Sequence, residues 1–169
     1  MNYHQIAREA PRTFRRNLLR LVVQNDPQHL IDLVDSCSPQ SRFLRFHTGM
    51  AALRPSMAEQ LAATPSLGLR NWRGRLVADA RYTRTHDDEA ELAVLISDTY
   101  QGRGLGLALL AVLFERAHDD GVRVLNAEVL NSNDAMVRLL EKLAPVETVG
   151  FEDGARRLRI PLEPVALAV

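Results

Sequence analysis

The stretch Asp98-Thr99-Tyr100-Gln101-Gly102-Arg103-Gly104-Leu105-Gly106 constrains the fold more than any other part of this chain. An alternating apolar run, residues 90–96, precedes it and reads as a strand. A long apolar run, residues 107–117, follows it and reads as a helix. Glycine lets the backbone turn tightly and come close to a ligand. The N–H groups of a first helical turn have no intrahelical acceptor. The helix dipole adds a partial positive charge there, worth roughly 0.3–1 kcal/mol to a bound phosphate. The turn therefore suggests an anion site, although Gly-x-Gly alone also fits a plain strand-to-helix connection.

The rest of the chain organises around that turn. Tyr3, Ile6, Ala7 and Ala10 share one helical face before Pro11, which is expected to stop the pattern. Residues 1–16 thus read as an extension, either a short helix or frayed, with Arg12, Arg15 and Arg16 making it basic. Residues 18–23 read as a first strand. Asp26-Pro27, Ser38-Pro39 and Arg54-Pro55 each open a short helix, since proline suits the first helical position. His47, near the end of the second of these, reads as a partly buried or solvent-facing histidine rather than a metal ligand. Two strand runs around Arg73-Gly74-Arg75 form a hairpin. The polar loop His86-Asp87-Asp88-Glu89 then leads into the strand before the glycine turn.

After the turn and its helix, residues 122–130 read as a strand. Strand–helix–strand order makes this a βαβ unit with parallel strands. Ser132 or Asn133 caps a last helix carrying Met136, Leu139, Leu140 and Leu143, and Pro145 ends it. A closing hairpin turns at Asp153-Gly154. The tail, residues 163–169, is expected to be loosely held. The expected organisation is one mixed α/β domain over residues 17–163, with an extension (1–16) and a short tail (164–169).

Composition excludes several classes. Lys+Arg and Asp+Glu both number 21, which argues against a strongly basic nucleic-acid binder. Cys37 is the only cysteine, so neither an intrachain disulfide nor a cysteine-based zinc site is possible, and no metal is expected. There is no secretory signal and no apolar run of the ~20 residues needed to span a bilayer, so a cytoplasmic chain without membrane contact is expected.

The element order and two motifs resemble the GNAT acetyltransferase superfamily. Gln101-Gly102-Arg103-Gly104-Leu105-Gly106 fits its Gln/Arg-x-x-Gly-x-Gly/Ala signature, and Asn133 with Met136, Leu139, Glu141 and Lys142 is similar to its asparagine-containing helix. Ser41-Arg42-Phe43-Leu44-Arg45-Phe46 and Ala90-Glu91-Leu92-Ala93 resemble bacterial protein lysine acetyltransferases of the Pat type. The resemblance implies an α/β (α+β) fold: a mostly antiparallel mixed sheet, a parallel βαβ at the cofactor cleft and helices on both faces.

It further implies that acetyl-CoA is the co-substrate. Its pyrophosphate would rest on Gly102, Arg103, Gly104, Leu105, Gly106 and Leu107, following Gln101. Val94, Leu95 and Ile96 would pair with the pantetheine amides, and Asn133 would contact the cofactor. Direct attack of an amine on the thioester needs a base. A lysine-type amine with pKa near 10.4 is neutral about once in 2,500 molecules at pH 7, a cost of about 5 kcal/mol. Glu91 and Glu128 are the candidates, each flanked by apolar residues at alternating positions. Leu140 stands where many family members carry a tyrosine acid, and Ala144-Pro145 stands where Gly-Phe is common. The acceptor, a protein lysine or a small amine, is left open, as is a homodimer. The competing reading is a non-catalytic acyl-CoA-binding module that regulates a partner.

Overall fold

The computed structural model describes residues 2–162, so the tail expected to be loosely held lies outside the described residues. The elements are α1 (Tyr3–Arg16), β1 (Leu19–Gln24), α2 (Pro27–Asp35), α3 (Pro39–Phe46), α4 (Pro55–Ala62), β2 (Ser66–Asn71), β3 (Leu76–Arg84) and β4 (Glu89–Ile96). They continue with a 3-10 turn (Asp98–Tyr100), α5 (Leu105–Asp119), β5 (Val124–Leu130), α6 (Asp134–Glu141), β6 (Glu147–Glu152) and β7 (Ala155–Pro161). Proline starts α2, α3 and α4 as expected. Asp26 and Ser38 accept from the N–H groups of Gln28 and Ser41 to cap the first two, whereas Arg54 makes no such bond.

One sheet of seven strands runs in the order β1-β2-β3-β4-β5-β7-β6. All neighbours are antiparallel except β4 and β5. That parallel pair is short: Glu89, Ala90 and Glu91 match Val124, Leu125 and Asn126, and no further pair forms. Beyond it β4 stays bound to β3 as far as Ile96, and β5 stays bound to β7 as far as Leu130. Each strand follows its own partner, and the sheet's twist carries the two apart. The result is a wedge that opens toward the glycine turn.

Alternation along the strands assigns their faces. Ala90, Leu92, Val94 and Ile96 of β4 and Leu125, Ala127 and Val129 of β5 pack with α5 and α1. Leu95 instead joins the smaller cluster made by α2, α4 and their flanking residues. Glu91 shares the face of Leu95, and Glu128 lies opposite Ala127 and Val129. Both glutamates therefore project on the α2–α4 side.

Residues 3–16 take the helical of their two expected forms, but the helix is longer than expected. Pro11 does not stop the helix, because α1 runs on to Arg16 and lies along α5. Pro11 sits on the exposed side of α1, while Tyr3, Ala7, Ala10 and Phe14 are buried in the main core. Proline in a helix interior costs about 3 kcal/mol. Burying a side chain such as Phe14 returns about 1.5–3 kcal/mol, and three further core residues add to it. The segment is thus part of the domain's core rather than a frayed extension.

Candidate active site

The wedge is floored by the paired end of β4 and β5 and closed at its mouth by the glycine turn. It holds a cleft of about 760 Å³, within the range of small-molecule sites. Its walls include Glu91, Val94, Leu95 and Ile96 of β4, Gln101, Gly102, Gly104, Leu105, Gly106 and Leu107 of the turn and α5, Glu128 of β5, and Asn133. The structure thus brings together every residue expected at the site except Arg103. The Arg103 guanidinium instead lies over the Tyr100 ring, 5.3 Å from its centroid, and is not part of the cleft wall.

The turn is built for open backbone. Gly102 and Gly104 have φ of +71° and +75°, in the left-handed region that disfavours a side chain. No side chain caps α5. Ala108 N–H is the first to find its helical acceptor, Gly104 O at 3.1 Å. The N–H groups of Leu105, Gly106 and Leu107 precede it and have no acceptor within the helix. Gly106 has a packing reason to be glycine, since a Cβ there would stand 3.1 Å from Leu139 Cδ1 and 3.2 Å from Ile96 Cδ1.

The turn is also tied to α3. Gln101 Nε2 donates to Ile96 O at 2.9 Å and to Ser41 Oγ at 3.1 Å, bridging the end of β4 to that helix. Asp98 accepts from Ser38 N–H at 2.7 Å, Ser38 Oγ at 2.7 Å and Ser41 Oγ at 2.9 Å. Desolvation pushes the Asp98 carboxyl up. The bonds from Ser38 and Ser41 outweigh it and hold the carboxyl below the ordinary carboxylate range. Gln101 thus spends its side chain on scaffolding.

Along β4 the backbone divides by register. Ser97 N–H donates to Val77 O at 2.9 Å, so the alternation of an antiparallel ladder turns the N–H and C=O of Leu95 toward β3 and those of Val94 and Ile96 toward the wedge. With Ile96 O taken by Gln101, the groups left facing the cleft are Val94 N–H, Val94 C=O and Ile96 N–H. Asn133 caps α6, its Oδ1 accepting from Met136 N–H at 3.2 Å.

The two glutamates have different company. Glu91 is exposed and stands near Arg45 of α3. Burial pushes the Arg45 guanidinium down, Asp79 and Glu91 oppose that shift, and Arg81 adds to it. Glu128 is met by His47, whose Nδ1 lies 3.3 Å from Glu128 Oε1. His47 is the C-cap of α3, with φ +56°, and also lines the cleft. Sequence reading gave His47 no role. The two residues are 81 positions apart, and only a helix end followed by Thr48-Gly49 hints at the left-handed cap.

Other groups are accounted for. Leu140 is fully buried in the core, so no polar side chain occupies that position. Tyr100 lines the cleft, its hydroxyl accepting from Asn71 Nδ2 at 3.2 Å. Cys37 is buried; burial and the nearby Asp98 carboxylate push its thiol up to about 11, so it stays protonated and inert. The acidic loop before β4 lies at the paired end of the wedge, away from the glycine turn. There Glu89 accepts from Asn126 Nδ2 at 2.8 Å and meets Arg159 at 3.6 Å.

A mixed sheet split at one parallel pair, with a glycine turn and a helix N-terminus at the mouth of the split, defines an acetyltransferase-type fold. The acetyltransferase (GNAT) family model matches residues 30–144, and the chain belongs to that family. Over 75 residues it is 40% identical to acetyltransferase Pat of Mycolicibacterium smegmatis. That match covers 43% of this chain and 22% of the relative, so the matched stretch spans under a quarter of that protein's length. The GNAT domain of S. lividans PAT superposes with a TM-score of 0.74 at 27% identity, covering 85% of this chain and 89% of that one. A GNAT superfamily phosphinothricin acetyltransferase from Sinorhizobium meliloti, in complex with acetyl-CoA, shares the fold at a TM-score of 0.67 and 19% identity. It covers 85% of this chain and 87% of that one.

Proposed function

We propose that this chain is an acyl-CoA-dependent N-acetyltransferase that moves acetyl from acetyl-CoA to an amine by direct attack. The observation that carries the reading is the wedge between β4 and β5, with an uncapped helix N-terminus at its mouth. In this reading the pyrophosphate rests on the N–H groups of residues 102–107, stabilised by the dipole of α5. Val94 and Ile96 offer the free strand edge to the pantetheine amides, as in strand addition, and Asn133 borders the same channel. The acyl group then points toward the paired end of the wedge, where Glu91 and Glu128 line the cleft.

The amine loses a proton, its lone pair attacks the thioester carbonyl, and the C–S bond breaks to release CoA. Glu91 and Glu128 are the groups proposed to receive the amine proton. Direct attack is favoured over an acyl-thiol intermediate because the one cysteine is buried and protonated. The acceptor is proposed to be a protein lysine or a small amine. The resemblance of residues 41–46 and 90–93 to Pat-type protein lysine acetyltransferases supports the first.

The test is a panel of lysine peptides and small amines, each incubated with purified chain and acetyl-CoA. Free thiol release and acceptor mass are both recorded. Transfer to at least one acceptor, with a 42 Da gain on it (the mass of an added acetyl group), is expected. Tight CoA binding without transfer to any acceptor would instead favour a regulatory acyl-CoA-binding module, the reading that buried Leu140 suggests.

A further inference from the structure

We propose that His47 and Glu128 act as a proton-accepting dyad: His47 Nε2 takes the proton of the incoming amine, and Glu128 fixes the imidazole for that task. The inference rests on the acetyltransferase reading and moves the proton-accepting atom from the two carboxylates to His47 Nε2, leaving Glu128 to position the ring.

Three observations support it. First, the pair is built by contact between elements distant in sequence: the α3 C-cap places its imidazole 3.3 Å from a carboxylate on β5. Second, His47 holds a left-handed backbone at φ +56°, uncommon for a residue other than glycine. Its N–H donates to Phe43 O at 2.8 Å and anchors that conformation. Third, both side chains line the cleft, and the His47 side chain is the more enclosed of the two, at 24% exposure against 51% for Glu128.

The proton inventory follows from the chemistry of the pair. A carboxylate only accepts hydrogen bonds, so a neutral imidazole bonded to Glu128 through Nδ1 carries its proton on that atom. The lone pair then sits on Nε2. The arrangement matches the carboxylate–histidine pairing of acyl-transfer sites, where the carboxylate holds tautomer and orientation. The charged groups sharing the cleft wall with His47 are Glu128 of β5, Glu91 of β4, Arg45 of its own helix, and Arg138 and Lys142 of α6 and its end.

The step balances. An ammonium acceptor gives one proton to Nε2, and the freed lone pair forms the C–N bond at the thioester carbonyl. The C–S bond breaks, the second amine proton passes to the departing thiolate, and His47 returns its proton to water. The products are the amide, CoA thiol and one proton.

The test uses the intact chain with an acceptor found by the panel above. His47→Asn is the main variant, because asparagine tolerates the left-handed backbone that the position requires. Its kcat/KM is expected to fall about 100-fold, the low end for loss of a general base. An unchanged thermal midpoint would report an intact fold. In wild type, kcat/KM is expected to decline on the acid side as an imidazole protonates, a limb that His47→Asn removes.

Long-range proton–nitrogen spectra of the free protein provide a readout independent of turnover. His47 is expected to carry its neutral-form proton on Nδ1 in wild type and to populate both tautomers in Glu128→Gln. Wild-type protein that transfers acetyl, with His47→Asn matching it in rate and pH profile, overturns the dyad alone. A wild-type protein that transfers to no acceptor overturns the enzymatic reading, and the dyad with it.

Discussion

The two faces of the sheet are held by different chemistry. On one face α5 and α1 pack a continuous apolar core, with Leu105, Leu109, Leu110, Leu113 and Phe114 fully buried. On the other, α2–α4 cover a smaller apolar cluster beside buried polar groups. There Asp79 meets Arg81 at 2.9 Å, and Ser66 bonds to both. Arg81 also donates to Leu61 O, tying β3 to α4. The first face is stabilised by area and tolerates no voids, whereas on the second each polar group depends on its partner. The glycine turn is rooted in the first face, while Glu91, Glu128 and His47 stand on the second.

The largest break in that comparison is expected from Phe114→Ala. Emptying this site on α5 should cost about 3–5 kcal/mol in denaturant unfolding. On the opposite face, Asp79→Ala leaves Arg81 buried without its anion and should cost about 3 kcal/mol. Replacing Asp79 and Arg81 together by leucine and methionine should recover much of that loss, a recovery that Phe114→Ala has no counterpart for.

Gly104→Ala should cost about 1–2 kcal/mol from backbone strain at φ +75°, although nothing lies within 4 Å of its added Cβ. Weaker acetyl-CoA binding by calorimetry should accompany it. Ser38→Ala removes the α3 cap and one donor to Asp98, a loss of about 1 kcal/mol. Asp98 titrates below its unfolded value, so its contribution is full above about pH 4 and fades as pH falls through the lower folded value. The stability gap between wild type and Asp98→Asn should therefore close in strongly acidic solution.

The same contrast explains what could be read from the sequence. α5 and the glycine turn were legible because their signals are local: a continuous apolar run, glycines at fixed spacing and a strand before them. The parallel return to β5 followed from connectivity. Which face Glu91 and Glu128 occupy was not legible, because alternation alone does not say which helices cover which side. The bonds from Ser38, Ser41 and Gln101 across to the turn join residues some 60 positions apart and leave no local trace. His47 and Glu128 are harder still. Pro11 misled in the opposite direction, because its local rule yields to burial on the other side of α1.

The short seam between β4 and β5 has a mechanical consequence. It makes the sheet two plates, one of four strands and one of three, joined along three residue pairs. Every other neighbouring pair is joined by at least four residue pairs, so the seam is the sheet's shortest join and a rotation there would widen the gap without breaking another ladder. The plates meet like covers on a narrow spine, and the spine lies beside Glu91, where the two strands begin to part.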